Sequence, residues 1–275
     1  MKYLQIRDAR IPALGLGTYG LWGDTAIQMV THALQVGYRH IDTAQAYDNE
    51  AEVGWGIRRA GISRQDLFVT TKVWYTRLDR RQFLPSVEES LRKLRLDYVD
   101  LLLIHWPSAT VPLQESLAEL VKAREQGLTR HIGVSNFTLK MLEQSLEFGA
   151  PLITNQVEYH PFLQQQRMLE RLKTEGLMLT AYSPLAKGQV VQHELLKQIA
   201  EKYQKTPAQI ALRWLIQQEH VAAIPRSTKA ERISSNLHIF DFELSGTDMQ
   251  QISSLGRENR RLINPSWAPQ WDPPG

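Results

Sequence analysis

Short apolar runs alternate with longer segments of helical spacing along nearly the whole chain. The runs of β type occupy residues 12–17, 38–42, 67–72, 98–105, 130–135, 153–158, 177–183 and 221–225. Between them, apolar positions recur at helical intervals and predict helices beginning near Asp24, Asn49, Arg80, Leu113, Thr138, Gln164, Val190 and Lys229. Gly37, Gly61, Gly127, Gly149 and Gly176 stand just before the next strand, where glycine ends a helix in the left-handed conformation at little cost. Leu101-Leu102-Leu103-Ile104 is apolar throughout, as expected of a strand covered on both faces. Strict alternation of strand and helix specifies a parallel sheet. Eight such units in 275 residues predict a closed (β/α)8 barrel of the TIM type rather than an open sheet. No linker or composition shift divides the chain, so one domain over residues 1–275 is expected. From about residue 257 the pattern gives way to an irregular tail with four prolines. Trp267 and Trp271 predict that this tail packs on the barrel, over its site.

The polar residues that close the strands matter most. Asp42, Lys72 and His105 end the second, third and fourth runs, and Tyr47 sits in the loop after the second. A carboxylate, an ammonium and an imidazole are costly in strand interiors unless they serve one another. In a barrel, neighbouring strand ends surround one C-terminal mouth. A phenol titrates near about 10 when unperturbed, and a neighbouring ammonium is expected to lower that value. Aspartate would hold the lysine charged and in place, and histidine could hydrogen-bond a substrate oxygen. The set suits general-acid catalysis at a carbonyl. None of the four is a nucleophile. Taken singly, each residue has a plain structural reading, such as a buried ion pair or a satisfied core histidine; it is their joint placement that points to a site.

Two other readings compete. Gly15-Leu16-Gly17-Thr18-Tyr19-Gly20 fits G-x-G-x-x-G, and Asp42 lies about twenty residues beyond, the dinucleotide-fold spacing. In that fold the glycines open the helix directly, whereas Leu21-Trp22-Gly23 intervene here and Asp24 reads as the N-cap. A metal centre drawn from His40, Asp42, His105, Glu158 and His160 is the second. It leaves Tyr47 and Lys72 without roles and sets a lysine beside a cation, so no metal is expected.

Composition adds limits. There is no cysteine, hence no disulfide and no thiolate site. A net charge of +3 is spread along the chain, unlike the basic stripe of a nucleic-acid binder. No apolar run is long enough for a membrane span. Residues 1–8 carry no apolar signal region, which makes the cytoplasm the default location.

The motifs Gly15-Leu16-Gly17-Thr18, Asp42-Thr43-Ala44-Gln45-Ala46-Tyr47-Asp48-Asn49-Glu50, Thr71-Lys72-Val73-Trp74 and Ile104-His105-Trp106-Pro107 resemble the aldo-keto reductase family. So do Ile132-Gly133-Val134-Ser135-Asn136-Phe137, Asn155-Gln156-Val157-Glu158, Ala181-Tyr182-Ser183-Pro184-Leu185 and Ile224-Pro225-Arg226-Ser227. The ending Trp267-Ala268-Pro269-Gln270-Trp271-Asp272 is similar to that of the bacterial 2,5-diketo-D-gluconate reductases, the B type especially. The resemblance implies an NADPH-dependent carbonyl reductase, a monomer, needing no metal and binding neither nucleic acid nor membrane. It implies Tyr47 as acid, Lys72 and Asp42 as its tuners, and His105 as the group that orients the carbonyl. It also implies Tyr182 as the ring that stacks on nicotinamide and Ser135, Asn136 and Gln156 as carboxamide holders. Gly17, Thr18, Tyr19, Asp42, Ser183, Leu185 and Asn236 are further expected cofactor contacts. Arg226, Ser227, Thr228 and Arg232 would receive the 2′-phosphate, since guanidinium groups and a helix start favour phosphate.

Three departures stand out. Arginine occupies position 226 where many relatives have lysine, and Ser235 replaces an acidic residue expected near the adenine. Residues 107–111 make a short loop after His105-Trp106 where longer relatives build a specificity loop, which predicts an open pocket. Trp74 and Trp106, with Trp22 and Trp267, are candidate pocket walls. The expected substrates are small aldehydes, α-dicarbonyls such as methylglyoxal, and keto sugar acids such as 2,5-diketo-D-gluconate. The competing class is an NADPH-binding regulatory subunit with little turnover.

Overall fold

A computed structural model describes residues 1–273. The chain begins with an antiparallel hairpin, β1 (Tyr3–Ile6) and β2 (Ala9–Pro12). Eight parallel strands follow: β3 (Leu16–Gly17), β4 (His40–Asp42), β5 (Phe68–Val73), β6 (Val99–Ile104), β7 (Thr129–Ser135), β8 (Leu152–Glu158), β9 (Met178–Tyr182) and β10 (Val221–Ala223). Each pairs with the next in chain order. The first and last also meet. Leu14 bridges Ala223 in parallel, the Gly15 N–H donates to Ala223 O at 2.9 Å, and the Gly17 N–H donates to Pro225 O at 2.9 Å. The ring is therefore closed as the predicted (β/α)8 barrel.

Helices α1 (Gly23–Val36), α2 (Glu50–Ala60), α3 (Phe83–Leu94), α4 (Leu113–Glu125), α5 (Leu139–Glu147) and α6 (Gln166–Thr174) fill the connections from β3 to β9. All five glycines expected at helix ends have positive φ. Strands β5, β6 and β8 are buried at every residue, because the ring closes one face and the helices cover the other.

The structure departs from the sequence pattern in four places. Residues 12–17 are not one strand; the run divides between hairpin β2 and barrel strand β3. The hairpin lies across the N-terminal end of the barrel, with Asp8 3.7 Å from His131 near the start of β7. The helix expected near Val190 is a 3-10 segment, Ala186–Val191, broken by Lys187 and Gly188 in left-handed conformation. True helices follow as α7 (Glu194–Tyr203) and α8 (Pro207–Gln217). The start of α8 carries a capping box, in which Thr206 and Gln209 satisfy each other's backbone N–H groups, with Pro207 at the first turn. After α9 (Ala230–Asn236) comes an unforeseen α10 (Gly246–Ser254), capped by Ser245.

Candidate active site

Asp42 is the last residue of β4, Lys72 the penultimate residue of β5, and His105 the first residue after β6. Tyr47 ends a 3-10 turn, Gln45–Tyr47, directly above β4. The structure brings the four together. The Lys72 ammonium, wholly buried, donates to Asp42 Oδ1 at 2.5 Å, to Thr43 O at 2.8 Å and to Tyr47 Oη at 3.2 Å. The Tyr47 and His105 rings meet edge to face at 5.6 Å. Asp42 Oδ2 accepts from the Gln156 side chain at 2.8 Å, so the carboxylate is fully engaged from two sides.

The loops around Tyr47 are pinned by side chains for which the sequence offered no role. Asn49 donates to Thr18 O at 2.8 Å and Leu21 O at 2.9 Å, and accepts from the Thr43 hydroxyl at 2.8 Å. Gln45 donates to Ser86 and Ser90 on α3 and accepts the Trp74 N–H at 3.0 Å. Their presence in the run from Asp42 to Glu50 was the available signal, but a buried amide's partners cannot be read from spacing.

The charges settle as follows. Burial, reinforced by the Asp42 carboxylate and Tyr19, raises the Tyr47 phenol well above its ordinary value. This reverses the expected direction, because taking the phenol out of water beside the Asp42 carboxylate disfavours the tyrosinate. Burial lowers the Lys72 ammonium, with Asp42 opposing. Burial and then the Lys72 charge push His105 well below the ordinary imidazole range. At neutral pH the site therefore holds a protonated phenol and an uncharged imidazole. The phenolic oxygen already accepts from Lys72, so its own proton is free to point into the mouth. His105 makes no side-chain hydrogen bond among the described residues, and its Nδ1 is buried without a partner.

The residues expected to hold nicotinamide form one connected group. Ser135 Oγ donates to Gln156 O at 2.8 Å, Asn136 Nδ2 donates to Ser135 Oγ at 3.1 Å and His105 O at 3.0 Å, and the Tyr182 hydroxyl donates to Asn136 Oδ1 at 2.8 Å. A register shift between β7 and β8 sets Ser135 opposite Gln156. Tyr182 is only partly buried. A flat ring beside a hydroxyl and two amides fits a nicotinamide carboxamide. On the other side of the mouth, Gly17 closes against Ile224 O and Thr18 donates to Asp42 O at 3.0 Å. Tyr19, 64% exposed, lies edge-on to Tyr47 at 5.2 Å. Ser183 takes a positive φ and Leu185 is half-buried. Arg226, Thr228 and Arg232 are exposed, and neither arginine forms an ion pair among the described residues. Ser227 is buried and holds the turn by accepting the Lys229 N–H at 2.9 Å; Asn236 is buried at the end of α9.

The tail does pack over the mouth. Trp267 meets Tyr75 at 4.6 Å, Trp106 at 5.0 Å and Trp74 at 5.6 Å, and Trp74 meets His105 at 5.1 Å. Trp22 lies on the opposite rim, 63% exposed, and donates its indole N–H to Tyr47 O at 3.2 Å. The alternative metal set does not assemble: among the described residues no three suitable side chains come together. Glu158 and His160 pair instead with each other at 2.9 Å. Burial raises the Glu158 carboxyl, but His160 and the Leu262 and Ile263 N–H groups outweigh it and hold the carboxyl below its ordinary value. No helix among the described residues is long and apolar enough to cross a membrane.

A barrel with this mouth is an oxidoreductase scaffold, and residues 13–257 match the model of the aldo/keto reductase family. The chain belongs to that family of carbonyl-reducing oxidoreductases, which generally use nicotinamide cofactors. It is 45% identical over 267 residues to methylglyoxal reductase DkgB of Escherichia coli O157:H7, covering 95% of this chain and 99% of that protein. It is 43% identical over 258 residues to glyoxal reductase of Bacillus subtilis strain 168, covering 93% and 92%. A crystal structure described as a candidate 2,5-diketo-D-gluconic acid reductase B superposes with a TM-score of 0.97 at 45% identity, over 99% of this chain and 98% of that one. The aldose reductase of Schistosoma japonicum superposes at 0.92 with 32% identity, over 98% and 96%.

Proposed function

We propose that the protein uses NADPH to reduce small aldehydes and α-dicarbonyls, methylglyoxal and keto sugar acids among them, to alcohols. Tyr47 is the general acid in this reading. The observation that carries it is the Lys72 ammonium, which touches Asp42, Thr43 O and the Tyr47 oxygen at once. The cofactor, when bound, supplies the hydride. Tyr47 delivers the proton to the carbonyl oxygen, and the tyrosinate left behind is stabilised by the ammonium 3.2 Å away. His105, uncharged, has one N–H with which to orient the carbonyl, a far weaker acid than an imidazolium and so a hydrogen-bond donor rather than the proton source. Asp42 keeps the ammonium in place and balances its charge.

Tyr182, Ser135, Asn136 and Gln156 would hold the nicotinamide, and Arg226 and Arg232 offer unpaired charge to a 2′-phosphate, which favours NADPH over NADH. The names of the relatives at 45% and 43% identity support the dicarbonyl substrates. The short 107–111 loop is compatible with small substrates, since it adds little bulk beside Trp106. Tyr47→Phe tests the assignment. It removes the donated proton and keeps the ring; kcat should fall about 10²- to 10⁴-fold while NADPH still quenches protein fluorescence with the wild-type midpoint. Near-normal turnover in that variant would overturn the role given to Tyr47.

A further inference from the structure

Glu158 and His160 are fully buried at the end of β8, and the reduction described above uses neither. The carboxylate faces the tail. Its Oε1 accepts from His160 Nε2 at 2.9 Å and from the Leu262 N–H at 2.7 Å, and its Oε2 accepts from the Ile263 N–H at 2.9 Å. Two backbone amides of an otherwise irregular segment thus converge on one buried charge. The segment is fixed nearby as well: the Arg260 N–H donates to Phe162 O at 2.8 Å, and Arg261 stacks on Trp271 at 3.8 Å. Farther on, Asp272 accepts the Leu139 N–H at 2.9 Å, at the start of α5. Between these two attachments Trp267 reaches Trp74, Tyr75 and Trp106 beside His105.

We infer that Glu158 is a positioning residue: its carboxylate anchors residues 262–263 and so sets where Trp267 stands at the substrate side of the mouth. A buried carboxylate left without those amides would lose most of its compensation, and the amides would lose a charge-assisted partner; hence the anchor holds the strap shut rather than resting against it. His160 completes the carboxylate's bonding from the barrel side and keeps it turned toward the tail. The inference rests on the carbonyl-reductase reading for its kinetic consequence, but the attachment itself does not depend on that reading.

Two full-length variants test it. Glu158→Gln keeps the volume and turns an amide NH2 toward backbone donors; Ile263→Pro leaves Glu158 intact and removes one donor from a half-exposed loop. Each should raise the tryptic cleavage rate after Arg260 and Arg261 about tenfold or more, since local opening is no longer opposed by the anchor. Each should also raise KM several-fold for an aromatic aldehyde large enough to reach Trp267, with kcat within about twofold, and leave KM for methylglyoxal unchanged. Wild-type cleavage rates in both variants would overturn the anchor. A loss of kcat shared equally by all substrates would show a merely structural role. Should the wild-type protein reduce no carbonyl, the reductase reading fails, and the cleavage rates still judge the anchor alone.

Discussion

Lys72 has no exposure to solvent, and one nitrogen serves a carboxylate, a carbonyl and a phenol. The sequence showed that Asp42, Lys72, His105 and Tyr47 would meet, because strand ends of a barrel must. It did not show the sign of the phenol's shift, since burial is a property of the assembled mouth. The histidines give a pH prediction. Burial lowers both His40 and His105 below their unfolded value. Between the folded and unfolded values the unfolded chain binds more protons, so stability is complete above about pH 6.5 and falls below it, by up to about 1.4 kcal/mol per pH unit for each histidine. The ligand-free protein should therefore melt at a lower temperature near pH 5.5 than near pH 7.5. The drop should be smaller in His105→Asn, measured by calorimetry at both pH values; an unchanged drop would mean that His105 is protonated in the folded protein.

At the scale of elements, β3 and β10 have only two and three residues, yet they close the ring. Gly17 makes this possible: a Cβ there would stand 2.7 Å from Ile224 O, backbone that cannot swing aside. Gly17→Ala should cost about 1–3 kcal/mol and lower the melting temperature by several degrees, with the loss concentrated in hydrogen exchange of the β3 and β10 amides. Barrel strands such as β6 were legible because a parallel strand buried on both faces is apolar nearly throughout. The β1–β2 hairpin was not, because the apolar run continues through Ala13 and Leu14 from its second strand into β3. The connection from β9 to β10 was misplaced for a different reason. Apolar residues 190–191 start no α-helix behind a left-handed Lys187-Gly188; α7 starts at Glu194, and the second helix, α8, is marked at Thr206 by capping residues rather than by apolar spacing.

Across the whole molecule the modest net charge of +3 conceals a local arrangement. Several basic side chains of the helices are paired with acidic neighbours, as in Lys93–Glu89 and Lys202–Asp248. Arg226 and Arg232 are not, and they lie past β10 at the mouth. Arg226→Ala should weaken NADPH binding about tenfold or more and NADH binding much less, measured by fluorescence titration at fixed ionic strength. Equal weakening of both would take the 2′-phosphate away from Arg226. The tail's place over the site was readable from its tryptophans; its attachment was not, because the partners are backbone amides and a carboxylate about a hundred residues away in sequence.

Asp42 divides its two oxygens between Lys72 of β5 and Gln156 of β8. Those strands lie on different sides of the ring, so one carboxylate works as a cross-tie through the interior. A ligand amide that competes for Gln156 changes the bonding of the same carboxylate that steadies the ammonium beneath Tyr47. In the proposed function Tyr47 is thus linked to the nicotinamide berth through three hydrogen bonds, and it registers whether that berth is filled without any movement of the barrel.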